Sequence, residues 1–342
     1  MKDIKKIAVI GDGGWGTALA LVLAEQQYDT TLWCAFPDQA EQMRELHENK
    51  PYLPGIPLPG NLKISADIFS TAENVDLVVS VVPTKFLRQV IKRFEDALPG
   101  TVPIVSATKG LEIETFCRPT EIILDELGDR SVCALTGPTH AEEVARKKPA
   151  SIVAASTDPE LAEAVQKVFT CDYLRVYASH DPVGAELGGA LKNVIAIAAG
   201  ISDGLGLGDN AKAALLTRGM VEMARFGKRL GANPETFFGL AGFGDLVTTC
   251  CSQHSRNRLV GERIGAGETL QEVLGDMKMV AEGVNTAKAL FGPESETRDV
   301  SMPIAEQVHA ILFENKSPYD GVVDLMTRAP AREMEGLLEA SK

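Results

Sequence analysis

The chain has 342 residues, 45% apolar and 24% charged, a balance that excludes a disordered or fibrous protein and leaves room for two buried cores. A formal net charge of −13 argues against a nucleic-acid backbone or an acidic membrane surface as the main partner. Six cysteines without C-x-x-C spacing and five scattered histidines exclude a disulfide framework and a metal site, and read as reduced thiols in the cytoplasm. The first apolar run is too short for a signal peptide and ends in a glycine turn. No stretch approaches ~20 uninterrupted apolar residues, so no bilayer span is expected.

Residues 5–10 predict a short buried strand stopped by Gly11, and residues 17–24 predict a helix. Between them, Gly11, Gly13 and Gly16 fall in the G-x-G-x-x-G register. The first glycine permits a tight turn, the second lets backbone approach a pyrophosphate, and the third lets helix pack on strand. The phosphate charge then meets unpaired N–H groups at the helix start. Residues 29–36 read as the second strand. In a dinucleotide-binding unit a carboxylate near its end holds the ribose hydroxyls and a basic residue holds an NADP phosphate. Cys34-Ala35-Phe36-Pro37 has neither, so the choice between NAD and NADP stays open. Phe36 reads either as a platform for adenine or as ordinary packing.

Residues 38–47 predict a helix, and the proline- and glycine-rich stretch 51–60 a rigid loop. The apolar run 76–82 predicts a strand covered on both faces, followed by a helix from Pro83 to about residue 97. Strands are predicted at 102–110, 132–135, 151–155 and 173–178, with helices at 119–128, 141–147 and 159–169. This alternation predicts a mostly parallel, doubly wound sheet. After Ser179-His180-Asp181-Pro182 the strand signals end. We expect a Rossmann domain over 1–180 and an all-α domain over 181–342, with a ligand site where they meet. Residues 184–199 predict a long helix of small residues, broken by the glycine-rich stretch 203–208.

Taken together, these residues resemble the bacterial-type glycerol-3-phosphate dehydrogenases. The resemblance is carried by Gly11-Asp12-Gly13-Gly14-Trp15-Gly16, Tyr52-Leu53-Pro54-Gly55, Ala107-Thr108-Lys109-Gly110 and Gly137-Pro138-Thr139. In the second half it is carried by Leu191-Lys192-Asn193, Gly244-Asp245-Leu246, Ser255-Arg256-Asn257-Arg258 and Val280-Ala281-Glu282-Gly283. It implies reversible reduction of dihydroxyacetone phosphate to sn-glycerol 3-phosphate with NAD(P)H, for glycerophospholipid synthesis, in a homodimer formed through the helical domain. It also implies cofactor contacts at Gly11, Gly13, Gly14, Trp15, Gly16, Lys109, Ala141, Arg256, Val280 and Glu282. Substrate contacts are implied at Lys109, Gly137, Thr139, Lys192, Asp245, Ser255, Arg256 and Asn257.

The chemistry needs a proton donor at a carbonyl oxygen and a grip on phosphate. Lys192, in an otherwise apolar helix, is either a surface lysine or a buried acid with a lowered pKa; the resemblance makes it the acid/base. Lys109 closes a strand at the edge where such sheets bind ligands, or reaches solvent. Asp245 reads as an orienting carboxylate or a helix N-cap. Arg256 and Asn257 offer donors to phosphate oxygens, with Ser255 adding a hydroxyl or a cap, or the segment simply begins a helix. Ala35 stands where the resemblance has a basic residue, and His140 where it has Phe. We read His140 as a packing replacement. The alternatives are a β-hydroxyacid-type dehydrogenase and a non-catalytic nucleotide sensor.

Overall fold

The structure is a computed structural model and describes residues 3–277, 281–295, 300–330, 332–334 and 337. The chain divides into two compact units: Met1–Thr108 with Pro119–Pro182, and Lys109–Arg118 with Val183–Lys342.

The first unit is built on a sheet whose central strands are apolar without interruption. Ile7, Val9, Ile10, Leu77, Val78, Val79, Ile104 and Val105 are wholly buried, as strands covered on both faces must be. Among the described residues the sheet has eight strands: β1 (Lys6–Ile10), β2 (Asp29–Trp33), β3 (Lys63–Ser65), β4 (Leu77–Ser80), β5 (Ile104–Ser106), β6 (Val132–Thr136), β7 (Ala150–Ala155) and β8 (Leu174–Ser179). Their order is β3-β2-β1-β4-β5-β6-β7-β8. Every pairing is parallel except β6 with β7. The order reverses between β1 and β4, so the carboxyl ends of these strands form the switch point where open sheets bind ligands.

Several predicted elements are shorter here. The helix after Pro83 stops at Lys92, and the chain continues to Leu98 in successive turns closed by Phe94, Ala97 and Leu98. The charged helix from Ala141 ends at Val144, because Lys147 takes a left-handed backbone at φ 59°. The β3 strand has no counterpart in the sequence reading. Only three residues long and at the sheet edge, it has no apolar alternation to reveal it.

The second unit is helical, with no strand among its described residues. Its axis is the helix Pro182–Gly204, eighteen of whose residues are buried. By length and composition this helix could cross a membrane, which the count of uninterrupted apolar residues missed. Its surroundings are protein: Leu187, Leu191, Val194, Ile195 and Ile197 join Val221, Phe226, Leu246 and Leu290 in one core. Small residues permit the packing. A Cβ at Gly200 would collide with the Arg258 carbonyl, and one at Gly261 with the Ile197 carbonyl. Residues 109–118 belong to this unit because Leu111 is buried in its core and Arg118 pairs with buried Glu186 at 2.5 Å.

Candidate active site

In the first unit the glycine turn is shaped by steric necessity. Gly11 has φ 114°, and a Cβ there would press on the Val81 carbonyl beside β4. A Cβ on Gly16 would overlap the Gly11 carbonyl, so turn and helix can meet only without side chains. Gly13 is different: a Cβ there would meet nothing within 4 Å. Glycine at this position keeps open space in front of the helix Gly14–Glu25, whose N-cap carries no side-chain hydrogen bond. The Trp15 Nε1–H beside it is buried and has no hydrogen-bond partner among the described residues. Open space, unspent helix N–H groups and an orphaned indole donor fit a dinucleotide pyrophosphate.

The turn is braced by a residue that sequence reasoning missed. Asn49 is wholly buried, and its amide donates to the Asp12 carbonyl at 2.7 Å and to Thr17 Oγ1 at 2.8 Å. It sits in a polar stretch with no periodic signal. Gly14 and Ala141 come together, a Cβ on Gly14 lying 3.5 Å from the Ala141 Cβ. Gly137 has φ 143° and no room for a side chain against Ile152. The Thr139 hydroxyl donates back to the Gly137 carbonyl at 3.2 Å. His140 is half-buried at the start of the helix Ala141–Val144. Phe36 is 70% exposed, so it packs little against this protein.

In the second unit the structure joins three of the predicted residues. Lys192 is buried, not a surface lysine. Its ammonium donates to Asp245 Oδ1 at 2.6 Å and to Thr249 Oγ1 at 2.7 Å. Lys109 donates to the other Asp245 oxygen at 2.7 Å. Asp245 is therefore no N-cap: Gly244 holds that position, and Asp245 is the first helical residue. A stretch of π-helix, Leu240–Gly244, turns the chain into the helix Asp245–Cys251. Gly242 allows this, since a Cβ there would collide with the Phe237 backbone.

Burial pushes the Lys192 pKa down to about 8; the Asp245 carboxylate pulls it up and the Lys109 charge pushes it down again. Among the described residues the ammonium spends two of its three donors. Thr249 is the second residue missed by sequence reasoning. Its hydroxyl donates to the Asp245 carbonyl at 2.6 Å and accepts from Lys192. The four-residue spacing from Asp245, one helical turn, was the available signal.

Ser255 is the N-cap of the helix Arg256–Gly265, its hydroxyl accepting from the Arg258 N–H at 3.2 Å. Arg256 is exposed, whereas Asn257 is buried. The Asn257 side-chain oxygen, Oδ1, accepts from the Gly283 N–H at 2.9 Å, which leaves its side-chain N–H groups as donors. A Cβ on Gly283 would press on both Asn257 and the Asn193 carbonyl, so these residues share one neighbourhood beside Lys192 in the chain. Glu282 begins the helix Glu282–Leu290. Arg258 is spent on Asp203 at 2.7 Å. Val280 lies outside the described residues. Among the described residues there is no cluster of side chains able to hold a metal.

Two family models cover most of the chain: the NAD-dependent glycerol-3-phosphate dehydrogenase N-terminus over residues 6–162 and C-terminus over residues 181–323. The chain is 46% identical over 338 residues to the glycerol-3-phosphate dehydrogenase [NAD(P)+] of Bacillus pumilus, covering 98% of each. A crystal structure of glycerol-3-phosphate dehydrogenase from Coxiella burnetii matches with TM-score 0.91 and 37% identity, over 95% of this chain and 99% of that one. The glycerol-3-phosphate dehydrogenase of Saccharomyces cerevisiae matches with TM-score 0.81 and 28% identity, over 95% and 100%. The chain thus belongs to the NAD(P)-dependent glycerol-3-phosphate dehydrogenases, oxidoreductases acting on a CH–OH group.

Proposed function

We propose that the chain reversibly reduces dihydroxyacetone phosphate to sn-glycerol 3-phosphate, with Lys192 as the proton donor to the carbonyl oxygen. The observation that carries this reading is the buried Lys192 ammonium held by Asp245 and Thr249. Bound nicotinamide dinucleotide supplies or accepts the hydride. Gly11, Gly13, Gly14, Trp15 and Gly16 would hold its pyrophosphate, with Ala141, Val280 and Glu282 as further contacts. Lys192 offers its remaining N–H to the oxygen, where negative charge develops during reduction. Asp245 and Thr249 fix the ammonium so that this donor is aimed before substrate arrives. With a pKa of about 8, Lys192 gives up a proton at modest cost near neutral pH and recovers it in the reverse direction.

Lys109 shares Asp245 and adds positive charge for an anionic substrate. Arg256 and the donors of Asn257 grip the phosphate, with Ser255 setting the helix start that presents them. Gly137 and Thr139 complete the substrate contacts. A homodimer, a cytoplasmic location and supply of glycerol 3-phosphate to lipid synthesis are parts of the same reading.

The test is steady-state oxidation of NADH and of NADPH with dihydroxyacetone phosphate, against unphosphorylated dihydroxyacetone. Turnover with the phosphorylated triose and little with the other supports the reading. Equal use of both trioses removes the phosphate grip, and no turnover with either removes the activity.

A further inference from the structure

The helical unit contains a cavity that the proposed reaction does not use. Its volume is about 680 Å³, within the range of sites for small molecules. Ile201, Leu215, Val308, Ile311 and Leu325 give it an apolar wall. Two polar atoms in that wall lack partners among the described residues: Ser202 Oγ, on a residue 6% exposed, and Gln307 Oε1. A buried hydroxyl and a buried carbonyl oxygen left unpaired are costly unless something meets them.

The same lining carries Arg218, Arg328 and Arg332. Arg218 is met by the Glu333 carbonyl and Arg328 by the Ser301 hydroxyl at 3.4 Å. Among the described residues none of the three has a carboxylate partner. Such arginines are conspicuous in a chain of net charge −13. Glu222, the one acid in the described lining, is spent on the backbone N–H groups of Ile304 and Ala305. Apolar walls, buried hydrogen-bonding atoms and guanidinium groups that no carboxylate among the described residues neutralises together fit a molecule with an apolar tail and an anionic head.

We infer that this cavity binds an anionic amphiphile: a single apolar chain ending in a phosphate or a carboxylate. The site is independent of the reading of Lys192 and Arg256. It is tested by calorimetric titration of the full chain with dodecyl phosphate and dodecanoate, each below its micelle concentration, beside dodecanol and inorganic phosphate. At least one anionic chain should saturate at one per protein chain, and the stronger of the two identifies the head group. Dodecanol and inorganic phosphate, each lacking one half of the recognised chemistry, should bind about tenfold more weakly or worse.

Arg218→Gln with Arg328→Gln should weaken the amphiphile about tenfold or more. Ala214→Trp, which puts a large side chain on the cavity lining, should abolish binding. Thermal unfolding and triose phosphate reduction, measured on each variant, should be unchanged, and Arg328→Gln alone, at an exposed residue, guards against misfolding. Dodecanol binding as tightly as the anions, or affinity unaltered in the arginine variants, overturns the inference. So does uptake only from anionic vesicles, or a dimer in light scattering that excludes every probe.

Discussion

Lys192 Nζ lies 2.6 Å from Asp245 Oδ1 inside the core of the helical unit, and a second lysine occupies the other carboxylate oxygen. One carboxylate thus answers two ammonium groups. Removing it leaves positive charge buried without compensation, which costs more than any surface pair.

Asp245→Asn should therefore destabilise the protein by about 3–5 kcal/mol, read as a fall in Tm. It should also shift activity to lower pH, because the carboxylate raises the Lys192 pKa. Unchanged Tm together with an unchanged pH profile would show that the two contacts carry nothing.

The wild-type pH profile follows from the direction of the Lys192 shift. Its folded pKa of about 8 lies below the ordinary 10.5. Reduction, which needs the protonated lysine, should lose kcat as pH rises through about 8; oxidation of the alcohol should gain kcat through the same point. The unfolded chain binds more protons than the folded one between these values, so this group makes stability rise with pH from about 8 to 10.5.

Glu222 shifts the other way. Burial raises its pKa from 4.5 to about 7, against the Ile304 and Ala305 N–H groups that favour the carboxylate. The folded state then binds more protons between those values, and stability falls as pH rises from 4.5 to about 7. Glu222→Gln should flatten this part of the Tm-against-pH curve. An equal slope in both proteins would assign the dependence elsewhere.

Two glycines of the turn should separate folding from binding. Gly13→Ala adds a methyl into open space at an ordinary backbone angle, so stability should hold within about 0.5 kcal/mol while NADH affinity falls. Gly16→Ala drives a methyl into the Gly11 carbonyl, with a cost of about 1–3 kcal/mol. Chemical denaturation and fluorescence titration with NADH distinguish them.

The legible parts of the chain were those where period and chemistry agree. The apolar run that became β4 and the glycine turn after β1 each pair a burial pattern with a stop signal. The small, apolar neighbours of Lys192 marked it for burial. What stayed hidden depends on contacts distant in sequence. Asn49 matters because it reaches residues 12 and 17, and nothing around it is periodic. The antiparallel β6–β7 pairing depends on chain direction, which a run of apolar residues does not encode. Thr249 looks like any helical threonine until Lys192 is placed against it.

The central claim is that Lys192 carries the proton, and the most direct measurement is the turnover of dihydroxyacetone phosphate by Lys192→Ala. A fall in kcat of about 10²–10⁴-fold, with NADH affinity retained and the limb near pH 8 gone, is the expected result. A variant with near wild-type kcat and the same limb would contradict it.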